Sequence, residues 1–163
     1  MGIVIAPLER RHDRALFSCG VEQLDEYLKR RASQDVRRRV ARVFVATDEM
    51  SDRVLGFYSL SALAIDVSSL PPRQARRLPR HPIPAALIGR LAVDRMVQGR
   101  GLGRLLLADA VQRTLGVSDQ IAIHALVVDA KNDAAREFYL AFGFLPFPDR
   151  PERLFLPLAS IEA

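Results

Sequence analysis

The chain has 163 residues, of which 49% are hydrophobic and 26% are charged, and its formal net charge is +5. A chain of this length can bury a full apolar core, whereas two domains would be a tight fit. No run of about 18 apolar residues and no charged-then-apolar leader is present, so neither membrane spanning nor secretion through a cleaved signal is indicated. We therefore expect one compact α/β unit in the cytoplasm.

The cysteine and histidine residues do not indicate a metal site. Cys19 is the one cysteine and cannot form an internal disulfide, and no Cys/His cluster has metal-ligand spacing. The three histidines, His12, His81 and His124, have no visible partners in the sequence. Because a lone histidine is more often a hydrogen-bonded core residue than a catalytic base, we place all three outside the site and assign no metal.

The N-terminal half is rich in arginine. We predict strands near 3–6, 42–48 and 53–66 and a helix near 21–40. Of the 24 basic residues 22 are Arg, and residues 1–90 hold 16 basic and 10 acidic side chains. One group of arginines lies on or just after the predicted helix, at Arg30, Arg31, Arg37, Arg38, Arg39 and Arg42, and a second lies between Pro71 and Pro84, at Arg73, Arg76, Arg77 and Arg80.

Such runs usually form a solvated face, but two arginine groups on a small domain indicate a polyanionic partner. If residues 21–40 are helical throughout, the pairs Arg30/Arg37 and Arg31/Arg38 lie on one side of the helix. The segment from Pro71 to Pro84 is expected to be an ordered surface excursion.

A glycine-rich turn follows the apolar strand predicted near 84–93 and opens a helix near 101–116. Gly99, Gly101 and Gly103 allow a tight turn, and the first N–H groups of the helix favour an anion. The Lys-Ser/Thr ending of a Walker loop is absent, and the glycine spacing does not fit a dinucleotide fingerprint. The turn therefore predicts a phosphate-binding site of another class.

The C-terminal third continues the α/β alternation. Residues Ile121–Val128 form an apolar run typical of a buried strand, and a helix is predicted near 132–141, ending at Gly143. A further strand is expected near 153–158. Helices packed on a central mixed sheet follow from this order of elements.

Three features of these segments resemble the GNAT acetyltransferase superfamily: the spacing Gln98-x-x-Gly101-x-Gly103, the pair Phe138-Tyr139, and the pair Gly143-Phe144. The resemblance implies a single N-acetyltransferase (GNAT) domain over residues 1–163, of the α/β (α+β) class, with a central mixed β-sheet flanked by helices. It also implies acetyl-CoA as the acetyl donor, with Tyr139 near the thioester sulfur. The implied coenzyme-binding residues are Leu91, Ala92, Val93, Gln98, Gly99, Arg100, Gly101, Leu102, Gly103, Arg104, Asn132 and Phe138.

Further segments, at 17–28, 54–61, 130–139 and 154–157, resemble the GNAT toxins of bacterial type II toxin–antitoxin pairs. That resemblance covers nearly the whole chain. It implies acetylation of the α-amine of the aminoacyl group on charged tRNA, which blocks translation. It also implies neutralisation by an antitoxin with a ribbon-helix-helix domain, and a homodimer.

The strand before the glycine turn is consistent with an α-amine substrate. Leu87–Val93 carries no carboxylate, and the first one along the chain is Asp94. An α-amine with a pKa near 7.7–8.0 is partly neutral at cytosolic pH, so it requires no strong base, unlike the lysine amine. For tRNA phosphates we select Arg37, Arg38, Arg42, Arg76 and Arg77. Phe57, Tyr58 and Ser59 are candidates for bordering the aminoacyl pocket.

Two other functions remain open at this point. One is a GNAT enzyme that acetylates protein N-termini or a small amine, in which case the arginines would be incidental. The other is a catalytically dead module that binds nucleic acid or an antitoxin. The intact glycine turn, Asn132 and Tyr139 argue against the second.

Overall fold

The computed structural model describes residues 2–162. Its strands are β1 (Ile3–Pro7), β2 (Arg42–Asp48), β3 (Val54–Ile65), β4 (Ile83–Val93), β5 (Ala125–Asp129), β6 (Leu145–Phe147) and β7 (Arg150–Pro157). Its α-helices are α1 (Glu22–Glu26), α2 (Ala32–Arg37), α3 (Pro72–Ala75), α4 (Leu102–Val117), α5 (Asp133–Phe142) and α6 (Ala159–Glu162). A π-helical turn, Tyr27–Arg31, joins α1 to α2, and 3-10 turns lie at Val67–Ser69 and Arg95–Val97.

The strands form a mixed sheet in the order β1-β2-β3-β4-β5-β7-β6. β1 is antiparallel to β2, and β2 to β3, whereas β4 and β5 run parallel. β7 is antiparallel to both of its neighbours, β5 and β6. A mixed sheet with helices between its strands confirms the fold class expected from the sequence.

The chain divides into two compact units, and β3 and β4 contribute residues to both. The first unit comprises Met1–Ser61 and Gly89–Gln112, and the second comprises Ala62–Ile88 and Arg113–Ala163. The glycine turn belongs to the first unit, and Tyr139 belongs to the second. That residues 1–163 form a single N-acetyltransferase domain stays a prediction.

Aromatic rings form the centre of the first unit's core. The ring of Phe57 on β3 meets Phe17 edge-on, with centroids 5.6 Å apart, and stacks on Tyr27 at 6.3 Å. Leu28 and Val45 are fully buried in the same cluster. This apolar packing fixes the segment containing α1, the π-turn and α2 in the first unit.

The second unit has its own core. Ile65, Ile83, Val127 and Phe155 are buried in one cluster, in which Phe155 also meets Phe147 edge-on at 5.1 Å. The continuous apolar run of β5 is explained by its position between β4 and β7, where both sheet faces are covered.

The strand predicted at 121–128 is shorter than expected. β5 begins at Ala125, residues 121–124 lie outside it, and Ile121 is 65% exposed. The N–H of His124 donates to Pro84 at 2.8 Å, and the partner strand β4 begins at Ile83. Residues before His124 therefore have almost no partner strand left to pair with, although they are apolar. The short strand β6 had no counterpart among the predicted elements.

The helix predicted at 21–40 is divided and ends early. The π-turn Tyr27–Arg31 interrupts the α-helical repeat, so the 3.6-residue spacing does not carry Arg30/Arg37 and Arg31/Arg38 onto one side. α2 ends at Arg37, and Arg39 adopts φ 60°, the left-handed conformation that commonly terminates helices. The segment 71–84 is ordered and includes α3.

Gly56 lies where a side chain has no room. A Cβ atom there would lie 2.9 Å from Leu106 Cδ1 and 3.1 Å from the Ala92 carbonyl oxygen. We expect Gly56→Ala to lower the free energy of unfolding by about 1–3 kcal/mol in urea titrations, because the backbone must shift. The control is Gly116→Ala in α4, where a Cβ meets no atom within 4 Å. That variant should gain up to about 1 kcal/mol. Equal loss in both variants would contradict this packing.

Candidate active site

Two glycines in left-handed conformations connect β4 to α4. β4 ends at Val93, a 3-10 turn follows, and Gly99 and Gly101 adopt φ values of +80° and +85° before α4 begins at Leu102. An L-residue with a side chain disfavours this region by about 1–2 kcal/mol, whereas glycine enters it freely. The backbone of the turn thus favours glycine at positions 99 and 101, whereas Gly103 lies within α4 and its φ does not require glycine.

The turn leaves the amino end of α4 open. The Leu105 N–H donates to the Gly101 carbonyl at 3.1 Å, which places the N–H groups of residues 102–104 in the first helical turn. A Cβ built at Gly99 or at Gly101 would meet no atom within 4 Å. Because first-turn N–H groups and the helix dipole favour negative charge, this open turn fits a pyrophosphate. Arg100 and Arg104 are exposed beside it.

Gln98 supports the turn through its side chain. Its Nε2 donates to the Val93 carbonyl at 2.8 Å and to the Cys19 carbonyl at 3.0 Å. The motif glutamine therefore ties the turn to the end of β4 and to the loop before α1. Sequence reasoning missed Cys19 as part of this support. The contact links residues 79 positions apart, and Cys19 contributes only its backbone carbonyl, which residue type does not reveal.

Asp94 is a structural carboxylate. It is 2% exposed, its Oδ1 accepts from the Met96 N–H at 2.9 Å, and its Oδ2 accepts from the Ser18 N–H at 3.2 Å. Arg53 lies 4.0 Å from the same Oδ2. Both oxygens thus accept backbone N–H groups, one from the turn after β4 and one from the loop before α1.

At the end of β4, successive side chains lie on opposite faces of the sheet. Leu91 and Val93 are half-buried, whereas Ala92 points to the opposite face and packs into the first unit's core. The proposed pairing of Leu91–Val93 with the amides of a coenzyme remains a prediction.

In the second unit, α5 carries the other predicted site residues. Asn132 is its N-cap, and its Oδ1 accepts from the Ala135 N–H at 2.8 Å. The exposed Nδ2 group remains the part of this side chain that can donate to a ligand. Gly143 ends the helix at φ +121°, as its position in the sequence predicted.

Tyr139 is buried among aromatic rings on α5. Its ring meets Phe138 at 5.2 Å and Phe144 at 5.5 Å, both nearly edge-on, and the side chain is 6% exposed. Burial alone raises the pKa of its hydroxyl far above the ordinary value of 10. The hydroxyl therefore keeps its proton at neutral pH and can act as a hydrogen-bond donor.

The five arginines selected for phosphate binding all lie at the surface. Arg37, Arg38 and Arg42 belong to the first unit, and Arg76 and Arg77 belong to the second. Within residues 2–162 none of the five forms an ion pair with a carboxylate. Their charge is thus available to an external anion.

Phe57, Tyr58 and Ser59 do not form an open pocket wall. Phe57 and Tyr58 are fully buried and Ser59 is 2% exposed, and the Tyr58 hydroxyl donates to Asp109 Oδ2 at 2.6 Å. Their burial was not visible from sequence, because both faces of this central strand are covered at these positions.

The histidines and carboxylates show no metal-binding arrangement among the described residues. His12 is buried, its Nδ1 accepts from the Glu9 N–H at 2.9 Å, and burial followed by the charge of Arg11 lowers its pKa. Burial also lowers the pKa of His124. Within residues 2–162, every helix is too short or too polar to span a bilayer.

Comparison with known proteins matches residues 39–146 to the acetyltransferase (GNAT) domain family. A relative from Mycobacterium tuberculosis, described as a tRNA-acetylating toxin, is 40% identical over 93% of this chain and 89% of its own. The structure of AtaT complexed with acetyl-methionyl-tRNAfMet has a TM-score of 0.92 and 31% identity, covering 99% of this chain and 98% of AtaT. A tyrosine-to-phenylalanine mutant of AtaT, bound to the C-terminus of the antitoxin AtaR and to acetyl-CoA, has a TM-score of 0.83 and 30% identity, with 99% and 97% coverage.

Proposed function

This chain belongs to the GNAT acetyltransferase family, and on that premise we propose that it is a toxin that acetylates the α-amine of the aminoacyl group on charged tRNA. Its acetyl donor is acetyl-CoA, and the modification blocks translation. The observation that carries the proposal is the open, left-handed glycine turn at the amino end of α4, in a chain that is 40% identical to a tRNA-acetylating toxin.

The first unit supplies the phosphate contacts for the coenzyme. The backbone N–H groups of Gly99–Arg104 bind the pyrophosphate, and the exposed guanidinium groups of Arg100 and Arg104 add charge. The edge of Leu91–Val93 holds the pantetheine amides, and Asn132 and Phe138 contact the coenzyme arm. Bound acetyl-CoA supplies an acetyl group activated as a thioester.

The acceptor amine needs little help to lose its proton. β4 offers no carboxylate from Leu87 to Val93, and both oxygens of Asp94 already accept backbone N–H groups. An α-amine has a pKa near 7.7–8.0, so a sizeable fraction is neutral at pH 7, whereas a lysine amine near 10.4 is almost wholly charged. The chain is therefore matched to an α-amine.

Tyr139 serves the leaving sulfur. In the transfer the amine nitrogen bonds to the acetyl carbon and the carbon–sulfur bond breaks. The nitrogen releases one proton to water, and the leaving thiolate takes up one proton from water. The Tyr139 hydroxyl keeps its proton at Oη, because burial raises its pKa, and donates a hydrogen bond as negative charge develops on the sulfur.

The tRNA is held through its phosphates. Arg37, Arg38, Arg42, Arg76 and Arg77 are exposed and carry no ion pair within residues 2–162, so they contact the acceptor stem without reading its sequence. We further propose a single catalytic domain, a cytoplasmic location, a homodimer, and neutralisation by an antitoxin of the ribbon-helix-helix type. The AtaT complex with the C-terminus of AtaR supports the antitoxin as a partner.

Transfer of labelled acetyl from acetyl-CoA to a total pool of charged tRNA tests this function. We expect label on the charged pool and none on the same pool after deacylation, because the α-amine is removed with the amino acid. Label on protein N-termini or on small amines, with no label on either tRNA pool, would contradict this function.

Tyr139→Phe should lower kcat for this transfer by about 100-fold or more, because a hydrogen-bond donor to the leaving sulfur is lost. The affinity for acetyl-CoA, measured by calorimetry, should stay unchanged. Phe144→Tyr is a matched control for aromatic packing, because it adds a hydroxyl to a neighbouring ring of the same cluster. Normal turnover by Tyr139→Phe would remove Tyr139 from the mechanism.

Replacing Arg37 and Arg38 together by Ala should raise KM for charged tRNA and reduce the dependence of log KM on log salt by about one unit per lost phosphate contact. kcat should not change. Arg11→Ala is the control, because Arg11 already pairs with Glu9 and Asp52 at 2.8 Å. If the dependence of KM on salt is unchanged in the double variant, these arginines do not contact tRNA phosphates and form an ordinary solvated surface.

A further inference from the structure

Two arginines converge on the ring of Tyr27 in the first unit. The Arg90 guanidinium carbon lies 3.6 Å from the ring centroid, and that of Arg31 lies 5.6 Å from it. Phe57 lies nearly parallel to the same ring, at an interplanar angle of 15°, so the core holds the ring over whose face the Arg90 guanidinium lies. A planar cation stacked this closely is held in place before any ligand arrives.

The carboxylate of Asp35 lies at the same ring as the two arginines, but neither arginine is ion-paired to it. Within residues 2–162 neither guanidinium forms an ion pair with a carboxylate. Asp35 is the acidic residue at the ring, and its Oδ2 accepts from the Tyr27 hydroxyl at 2.8 Å. Burial and this bond raise the pKa of Tyr27 to about 12, so Tyr27 stays neutral and contributes no negative charge.

Both arginines are at least partly accessible to solvent. Arg31 is exposed and Arg90 is half-buried, and no nitrogen of either is buried without a partner. Stacking uses the face of a guanidinium and leaves its edge of N–H groups for an oxyanion. Tyr27 is also the first residue of the π-turn and Arg31 the last, and such a local distortion is frequent at functional sites.

Arg90 also lies next to the proposed reaction site along β4. It directly precedes Leu91–Val93, and a strand rises about 3.3 Å per residue, which places Arg90 roughly 10 Å from Val93. A group bound by Arg90 would thus lie beside the strand segment that we propose to hold the pantetheine amides.

We propose that Arg90 and Arg31, organised by Tyr27, form a phosphate-binding site for the phosphodiester that precedes the aminoacylated nucleotide of the substrate. This proposal rests on the function proposed above. It assigns to these two residues the positioning of the 3′ end, separately from the surface arginines that hold the acceptor stem.

The test compares Arg90→Lys and Arg31→Lys with the parent. Both keep a positive charge but lose the planar, bidentate edge. We expect KM for charged tRNA to rise about tenfold in each, with kcat, the affinity for acetyl-CoA and the unfolding midpoint unchanged. Arg30→Lys is the matched control, because Arg30 is exposed on the same turn and pairs with Glu26 at 2.9 Å. Its KM should equal that of the parent.

A second readout uses the uncharged oligonucleotide ACCA as a probe, followed by fluorescence anisotropy. Weaker ACCA binding by Arg90→Lys and Arg31→Lys than by Arg30→Lys supports the site. This holds even if the parent fails to acetylate charged tRNA, because that failure would contradict the proposed function and not the phosphate-binding site. Two results together would overturn the site. The first is that Arg31→Lys changes neither KM nor ACCA binding, and the second is that Arg90→Lys lowers the unfolding midpoint. The stacking on Tyr27 would then only stabilise the core.

Discussion

The glycine turn between β4 and α4 is the constraint on which the rest of the site depends. Its two left-handed residues, Gly99 and Gly101, let the chain enter α4 through a turn in which a Cβ at either position would meet no atom within 4 Å. Neighbouring side chains serve this geometry: Gln98 ties the turn to Val93, and buried Asp94 holds the segment before it. A preorganised cradle of backbone dipoles binds an anion without reorganising at the moment of binding.

The proposed chemistry uses positively charged groups in the first unit and an uncharged tyrosine in the second. The first unit carries the open helix terminus and exposed arginines that we propose to bind phosphate, whereas Tyr139 in the second unit is buried among aromatic rings. Asp94, the carboxylate at the end of β4, has both oxygens engaged with backbone N–H groups. An amine that is already partly neutral is the acceptor that such a site can use without a base.

Local signals predicted the glycine turn and the end of α5 better than they predicted the extents of the neighbouring elements. The glycine spacing and the stop at Gly143 follow from backbone conformation, which is written directly in residue type. The start of β5 was wrong because strand length depends on the partner β4, and sequence periodicity does not reveal the partner. The π-turn at Tyr27–Arg31 was likewise invisible, since it follows from packing around the Tyr27 ring.

Calorimetric titration of acetyl-CoA into Gly101→Ala tests the central claim most directly. An alanine at φ +85° meets no neighbouring atom, so the substitution changes the conformational preference of the turn and leaves the space intact. Restoring the left-handed turn on binding should weaken the affinity by about tenfold relative to the parent, given a cost of about 1–2 kcal/mol. Affinity equal to that of the parent would contradict the assignment of the coenzyme pyrophosphate to this turn.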